Sequence, residues 1–237
     1  MDKKFKRIMI KVSGEALAGG KGKTGLNEAI LDELAGVIKT VAVDMGIEVA
    51  IVVGGGNFWR GAKNPGFDRT DADHIGMLAT VMNCLAIADK LRQNGVPACA
   101  MSALQMDQVC EFYVKSKADA MLKQGKVVLL GCGTGRPFFT TDTGAVLRAA
   151  ELGCDTILLA KNVNGVYDSD PETNPNAIKF DRISFDEVIE RKLKVMDLTA
   201  TALCMENKIP MLIFDVKTPG DIIRCCKGEN PGTEVYL

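Results

Sequence analysis

Four short segments of the 237-residue chain set charged and hydroxyl side chains beside glycine, a combination suited to phosphate chemistry. The first is Lys11-Val12-Ser13-Gly14-Glu15, which closes an apolar run. A lysine next to Ser-Gly offers a point charge and backbone N–H donors to a polyphosphate. A strand-end lysine that is simply exposed would read the same way. The second is Gly54-Gly55-Gly56-Asn57-Phe58-Trp59-Arg60-Gly61. Three consecutive glycines carry a large conformational-entropy cost, which a close approach of backbone to phosphate would justify. Arg60 adds a charge-assisted contact. The third, Gly133-Thr134-Gly135-Arg136-Pro137-Phe138-Phe139-Thr140-Thr141-Asp142, joins a glycine turn, two aromatics, hydroxyls and an acid at a helix start. Thr141 or Asp142 serving only as a helix cap is the simpler alternative. The fourth runs from Asn164-Gly165-Val166-Tyr167 to Asp170-Pro171. Asn-Gly alone signals a hairpin, and Tyr167 is equally suited to pack beside a purine base.

Two further stretches imitate nucleotide motifs. Gly22-Lys23-Thr24 ends like a P-loop, but Leu17 stands where the leading glycine belongs. Gly131-Cys132-Gly133-Thr134-Gly135 begins like a dinucleotide fingerprint, but Arg136 replaces the third glycine and Pro137 interrupts the entry to a helix.

Composition narrows the chemistry. His74 is the single histidine, so a Cys/His zinc site or a Ser-His-Asp triad has one residue to draw on. The eight cysteines form no C-x-x-C pair and read as small core hydrophobes of a reducing compartment. A net charge of −1 argues against broad nucleic-acid or anionic-membrane binding. The short basic run Lys3-Lys4, Lys6-Arg7 reads as a solvated strand start. No apolar run reaches the ~18 residues of a membrane span, and the N-terminus has no signal-peptide pattern, so a cytoplasmic location is expected. Glycine supplies 24 residues, about 10% against the usual ~7%, and more than half of these fall within or close to the four segments.

The elements that must position these segments alternate. Strands are predicted at 5–12, 47–53, 96–101, 126–130, 156–160 and 211–214, with helices between them at 30–41, 75–93, 107–124, 142–152, 184–190 and 198–206, and a final helix and short strand. In the long helix, Leu78, Val81, Met82, Leu85 and Ala88 are expected inward, with Met77 also in the core and Asp73 just ahead of the helix. The stretch 167–177, with Pro171 and Pro175, is the most loop-like. This alternation predicts a mostly parallel sheet covered on both faces: an α/β, three-layer αβα sandwich forming a single domain over 1–237. The glycine segments then follow strand ends, on the edge where such sheets bind ligands.

The segments KVSGEAL, GGGNFWRG, DHIGMLAT, GTGRPFFTTDTGA, NGVYDSDP and KVMDLTA occur in that order. On these motifs the chain resembles the bacterial uridylate (UMP) kinases of the amino acid kinase superfamily, over essentially its whole length. The resemblance implies transfer of the ATP γ-phosphate to UMP, giving UDP and ADP in pyrimidine nucleotide biosynthesis, with Mg²⁺ accompanying ATP and no metal ligand set of the protein's own. It implies ATP contacts at Lys11, Val12, Ser13, Gly14, Gly56 and Arg60, and adenosine contacts at Asn162, Tyr167 and Asp170. It implies UMP contacts at Gly55 and Asp73, and a loop of Thr134, Gly135, Arg136, Pro137, Phe138, Phe139, Thr140 and Thr141 around UMP. Asp142 matches the acid that positions catalytic lysines, and Asp197, in the KVMD segment, is expected to act near the phosphates or metal; on the residue chemistry, Lys11 and Lys161 would stabilise the transferring group.

Gly19, Gly20, Lys21, Gly22, Lys23 and Thr24 match a segment linked to activation by GTP. UTP inhibition and a homohexamer are further implications. Arg136 and Gly144 depart from the family, which has a small polar residue and an alanine there. The residue chemistry agrees with the resemblance. A nucleoside monophosphate already presents an anionic oxygen, so transfer needs positioning and charge neutralisation rather than a general base. Two alternatives are another amino acid kinase, acting on carbamate or acetylglutamate, and a nucleotide-binding protein without turnover. DHIGMLAT and PFFTTD stand against the first, and Lys11 with Asp142 against the second.

Overall fold

A computed structural model describes residues 3–20, 22–60, 66–171, 173–193 and 195–237. Chain order is β1 (Arg7–Val12), α1 (Gly14–Leu17), α2 (Glu28–Lys39) running on into a π-helical turn (Thr40–Asp44), β2 (Glu48–Val53), α3 (Arg69–Gln93), β3 (Ala98–Ser102), β4 (Glu111–Phe112), α4 (Lys115–Lys123) and β5 (Val127–Gly131). It continues with α5 (Thr141–Leu152), β6 (Thr156–Lys161), β7 (Val166–Tyr167), β8 (Lys179–Phe180), β9 (Arg182–Ser184), α6 (Phe185–Glu190), α7 (Leu198–Glu206), β10 (Met211–Asp215), α8 (Asp221–Cys226) and β11 (Thr233–Tyr236). Nine strands form one sheet in the order β4-β3-β5-β2-β1-β6-β10-β11-β9, and β7 and β8 pair apart from it. Neighbours are parallel except for β10 with β11.

Alternation along β1 separates two cores. Ile8, Ile10 and Val12 face α2, α3 and α8, whose Leu34, Ile87 and Cys225 are buried against them. Met9 faces the opposite layer, built from α4, α5, α6 and α7 with Leu122, Val146, Phe185 and Ala200. The sheet is thus covered on both sides, which is why its central strands read as unbroken apolar runs. All eight cysteines are free thiols, and six of them are buried. Among the described residues no helix is long and apolar enough to cross a membrane.

Several expectations need correction. The long helix begins at Arg69, capped by Asp68, whose side chain accepts from the Thr70 and Asp71 N–H groups. Asp73 is therefore inside the helix and caps nothing. Leu78 and Met82 are 49% and 47% exposed, while Met77, Val81, Cys84, Ala88 and Leu91 form the buried stripe. Both stripes have helical spacing, so periodicity could not choose between them; the sheet chose. The predicted helix over 107–124 splits into turns, the edge strand β4 and the shorter α4. The loop-like 167–177 stretch is flanked by the antiparallel β7–β8 pair. Arg7 is not a solvated strand start: it is 9% exposed and bonded to Glu48 and Asp119.

Candidate active site

The chain passes from β1 to β2, β3, β4 and β5 on one side of β1, then crosses to β6 on the other. That reversal opens a crevice at the carboxyl ends of the strands. Lys11, Gly54, Gly131 and Lys161 all sit at that edge, on β1, after β2, on β5 and on β6. At its centre the loop after β1 crosses the triple-glycine turn. A Cβ on Gly14 would lie 2.3 Å from the Gly54 carbonyl oxygen, so only glycine permits the crossing.

Lys11 points, like Met9, toward the layer holding α5. Its ammonium pairs with Asp142 Oδ1, a buried oxygen with no other hydrogen-bond partner. Thr140, not Thr141 or Asp142, caps α5: its hydroxyl accepts from the Asp142 and Thr143 N–H groups at 3.0 and 3.2 Å. The Asp142 carboxylate is thereby left free for lysine. Lys161 belongs to the same group of charges and donates to the Val195 carbonyl. Burial pushes its pKa below the ordinary lysine value; Asp142 and Asp197 oppose that shift and Lys11 adds to it. Asp197 is a positioning group. It accepts from the Thr140 hydroxyl at 2.5 Å and from the Thr143 hydroxyl at 3.1 Å, and caps α7 through the Ala200 N–H at 2.9 Å. It ties the start of α7 to the start of α5, where Asp142 sits.

On one side of this charge group lies a cavity of about 150 Å³, lined by Gly55, Asp73, Thr134, Arg136, Phe139, Thr140 and Thr141, among others. Asp73 Oδ2 accepts from the Phe138 N–H at 2.8 Å and from Arg69 Nε at 2.9 Å, linking α3 to the loop. Phe138 itself is 66% exposed, and neither it, Gly135 nor Pro137 lines the cavity. On the other side Lys161, Tyr167 and Asp170 line a second cavity of about 380 Å³. Tyr167 donates to Asn164 Oδ1 at 2.5 Å. Asn162 is not brought to it. It lines a third cavity of about 550 Å³ on the opposite face of the sheet, together with Val12, Gly19 and Gly20. Of the remaining candidates, Ser13 caps α1 without a side-chain bond, and Gly56 accepts from Arg60 Nε at 3.4 Å. Gly22, Lys23 and Thr24 lie on the surface loop before α2. Lys21 and Gly61 lie outside the described residues.

Several contributors were not singled out from the sequence. Glu15, 7% exposed, pairs with Arg60 and holds it over the triple-glycine turn. Asn57 and Asn83, both fully buried, exchange hydrogen bonds at 2.9 and 2.8 Å. Asn83 also donates to the Gly54 carbonyl at 2.7 Å, and Asn57 to that of Gly25 at 2.8 Å. This pair pins the turn after β2 to α3. Glu15 and Asn57 lie inside recognised segments, but nothing in their spacing names a partner; Asn83 reads as an ordinary polar residue of an apolar helix.

The comparisons agree with this geometry. The amino acid kinase family matches residues 6–215. The crystal structure of the UMP kinase from Bacillus anthracis superposes with a TM-score of 0.94 at 38% identity, covering 98% of this chain and 96% of that one. The UMP kinase from Ureaplasma parvum gives 0.92 at 38% identity over all of both chains. The uridylate kinase from Archaeoglobus fulgidus gives 0.74 at 29% identity, covering 97% and 99%. With the family matched over residues 6–215 and full-length correspondence at this identity, the chain belongs to the amino acid kinase family.

Proposed function

We propose that the protein transfers the γ-phosphoryl group of ATP to UMP, giving UDP and ADP. The observation that carries the reading is the pair of cavities flanking Lys11, Asp142 and Lys161, in a chain 38% identical to UMP kinases over its length. UMP would occupy the cavity of Gly55, Asp73 and the 134–141 loop, with Asp73 meeting a hydroxyl-bearing part of the nucleotide. ATP would lie along Lys11, Val12, Ser13, Gly14, Gly56 and Arg60, its adenosine at Tyr167 and Asp170. Asn162 faces another cavity, which supports the adenosine assignment less well at that residue.

The reacting oxygen of UMP is already anionic, so no residue need remove a proton. Lys11 and Lys161 would draw charge from the transferring group, and Asp142 would hold Lys11 so that no reorganisation is needed during the reaction. Among the described residues no three His, Cys, Asp or Glu side chains converge to hold a metal ion. Asp142 and Asp197 are engaged by Lys11, threonine hydroxyls and a backbone N–H. These residues fit a Mg²⁺ that arrives on the ATP phosphates and keeps its waters. When bound, it would neutralise phosphate charge.

The same reading places both substrates on one domain over 1–237, in the cytoplasm, within pyrimidine nucleotide biosynthesis. It takes 19–24 as a GTP-responsive loop, UTP as an inhibitor and a homohexamer as the assembly, whose interfaces would cover apolar surface such as Leu78 and Met82. A coupled assay of ADP release with UMP, CMP, carbamate and acetylglutamate as acceptors tests the activity. Turnover with UMP alone is expected; turnover with carbamate or acetylglutamate instead, or none with any acceptor, overturns the reading.

A further inference from the structure

The root of the acceptor loop is held in a backbone conformation that its own residue disfavours. Cys132 has φ +63° and is followed by Gly133 at +54°. A left-handed conformation is uncommon at a residue bearing a Cβ, and it persists where the surroundings over-determine it. Three elements do so here. From α3, the Thr80 hydroxyl accepts the Cys132 N–H at 2.7 Å and donates to the Met77 carbonyl at 2.6 Å. From β3, the Ser102 hydroxyl donates to Cys132 Sγ at 3.3 Å. From α5, Arg148 donates to the Gly133 carbonyl at 3.4 Å. The Arg148 guanidinium is itself locked, 4.0 Å over the Tyr113 ring and 2.7 Å from Glu151, which also accepts from the Tyr113 hydroxyl. Gly144 of α5 closes the turn from below: a Cβ there would lie 2.8 Å from Gly133 Cα, a reason for the family's alanine to be absent.

We propose that Thr80 and Arg148 are positioning residues for the phosphate acceptor, acting by holding Cys132 and Gly133 in the left-handed turn that aims the 134–141 loop. The proposal rests on the reading that this loop takes UMP. Thr80 lines the acceptor cavity, but it is 2% exposed and its hydroxyl is committed on both sides, so the hydroxyl acts through Cys132. Burial also raises the pKa of the Cys132 thiol, which suits packing rather than reactivity. Thr80, Cys132, Gly133 and Thr134 line the acceptor cavity but not the one with Tyr167, so a loosened turn should be felt by UMP and not by ATP.

The test compares Thr80→Val, which keeps the shape and removes the hydroxyl, with Thr80→Ser, which keeps the hydroxyl. UMP binding is followed by calorimetry and turnover by steady-state kinetics. Thr80→Val should raise the UMP Kd and KM about tenfold, with the ATP KM and kcat within about twofold of the unaltered protein. Thr80→Ser should stay near the unaltered protein. Adding Cys132→Gly to Thr80→Val should recover most of the loss, because glycine holds a positive φ unaided. Unchanged UMP binding in folded Thr80→Val, an equal rise in the ATP KM, or no recovery with Cys132→Gly overturns the proposal. Should Thr80→Val not fold, Arg148→Lys, which keeps the charge and loses the planar fork, carries the same test: a rise in UMP KM alone supports the proposal and none overturns it. If the unaltered protein neither binds nor phosphorylates UMP, the functional reading fails, and this proposal with it.

Discussion

Arg7 and Lys11 stand on one face of one strand, four residues and roughly 13 Å apart, and their surroundings are opposite in kind. At the amino end of β1, Arg7 meets Glu48 at 2.5 Å, Asp119 at 2.9 Å and the Leu152 carbonyl. Asp155 meanwhile accepts the Lys6 and Arg7 N–H groups at 2.6 and 2.9 Å. Negative charge there more than answers the one guanidinium. At the carboxyl end, Lys11 pairs with Asp142, while Lys161 donates to the Val195 carbonyl and has Asp142 and Asp197 as its counter-charges. Burial nevertheless outweighs both carboxylates and holds the Lys161 pKa below its ordinary value, so its charge is costly there. In the proposed function, the phosphates of the two nucleotides would offset that cost. One end of the strand is built to be complete without a ligand; the other is built to be completed.

Arg7→Met should break the finished end. Glu48 would lose its cation and Asp119 would keep only Lys123, so the urea midpoint of unfolding should fall, while kcat per folded molecule stays within about twofold. A fall in kcat with no change in unfolding would erase the distinction between the two ends. Asp142→Asn should act on the other end: kcat falls at least about 100-fold, while circular dichroism shows the fold retained. If activity survived, Asp142 would be reduced to a residue of the first turn of α5.

The smallest effect concerns pH. The form of Lys161 that neutralises phosphate is the protonated one, and burial lowers its pKa from the ordinary 10.5. Activity should therefore be present below that lowered pKa and lost as pH rises through it. The alkaline limb of kcat should move further down in Asp142→Asn, because the carboxylate that favours the proton is gone. A limb that stays put in this variant would remove Asp142 from the surroundings of Lys161.

Much of this was legible in the residues. The alternation of strands and helices, the two-sided burial and the placing of the glycine segments after strands all stand in the structure, because they follow from local spacing. The misreadings share a cause. In α3 Met77, Val81 and Ala88 are buried as their spacing suggested, but Leu78 and Met82, equally apolar, lie on the side that the sheet and Cys132 leave uncovered. Arg7 read as solvated because its carboxylates lie 41 and 112 residues away in the chain. Strands of two residues such as β4, β7 and β8 are too short to show a period and exist only through their partners.

By itself, then, the sequence determined the layer order, the edge at which ligands meet the sheet, and the kind of chemistry available: lysine, arginine and backbone N–H on phosphate, with almost no histidine. Those are properties of residue type and near-neighbour spacing. Tertiary structure decided which charges face one another. It gave Asp142 to Lys11 by letting Thr140 take over the cap, spent Asp197 on two threonines, and bound the left-handed Cys132 to Thr80, 52 residues away. Such pairings depend on where distant segments cross, and only the folded chain brings those segments together.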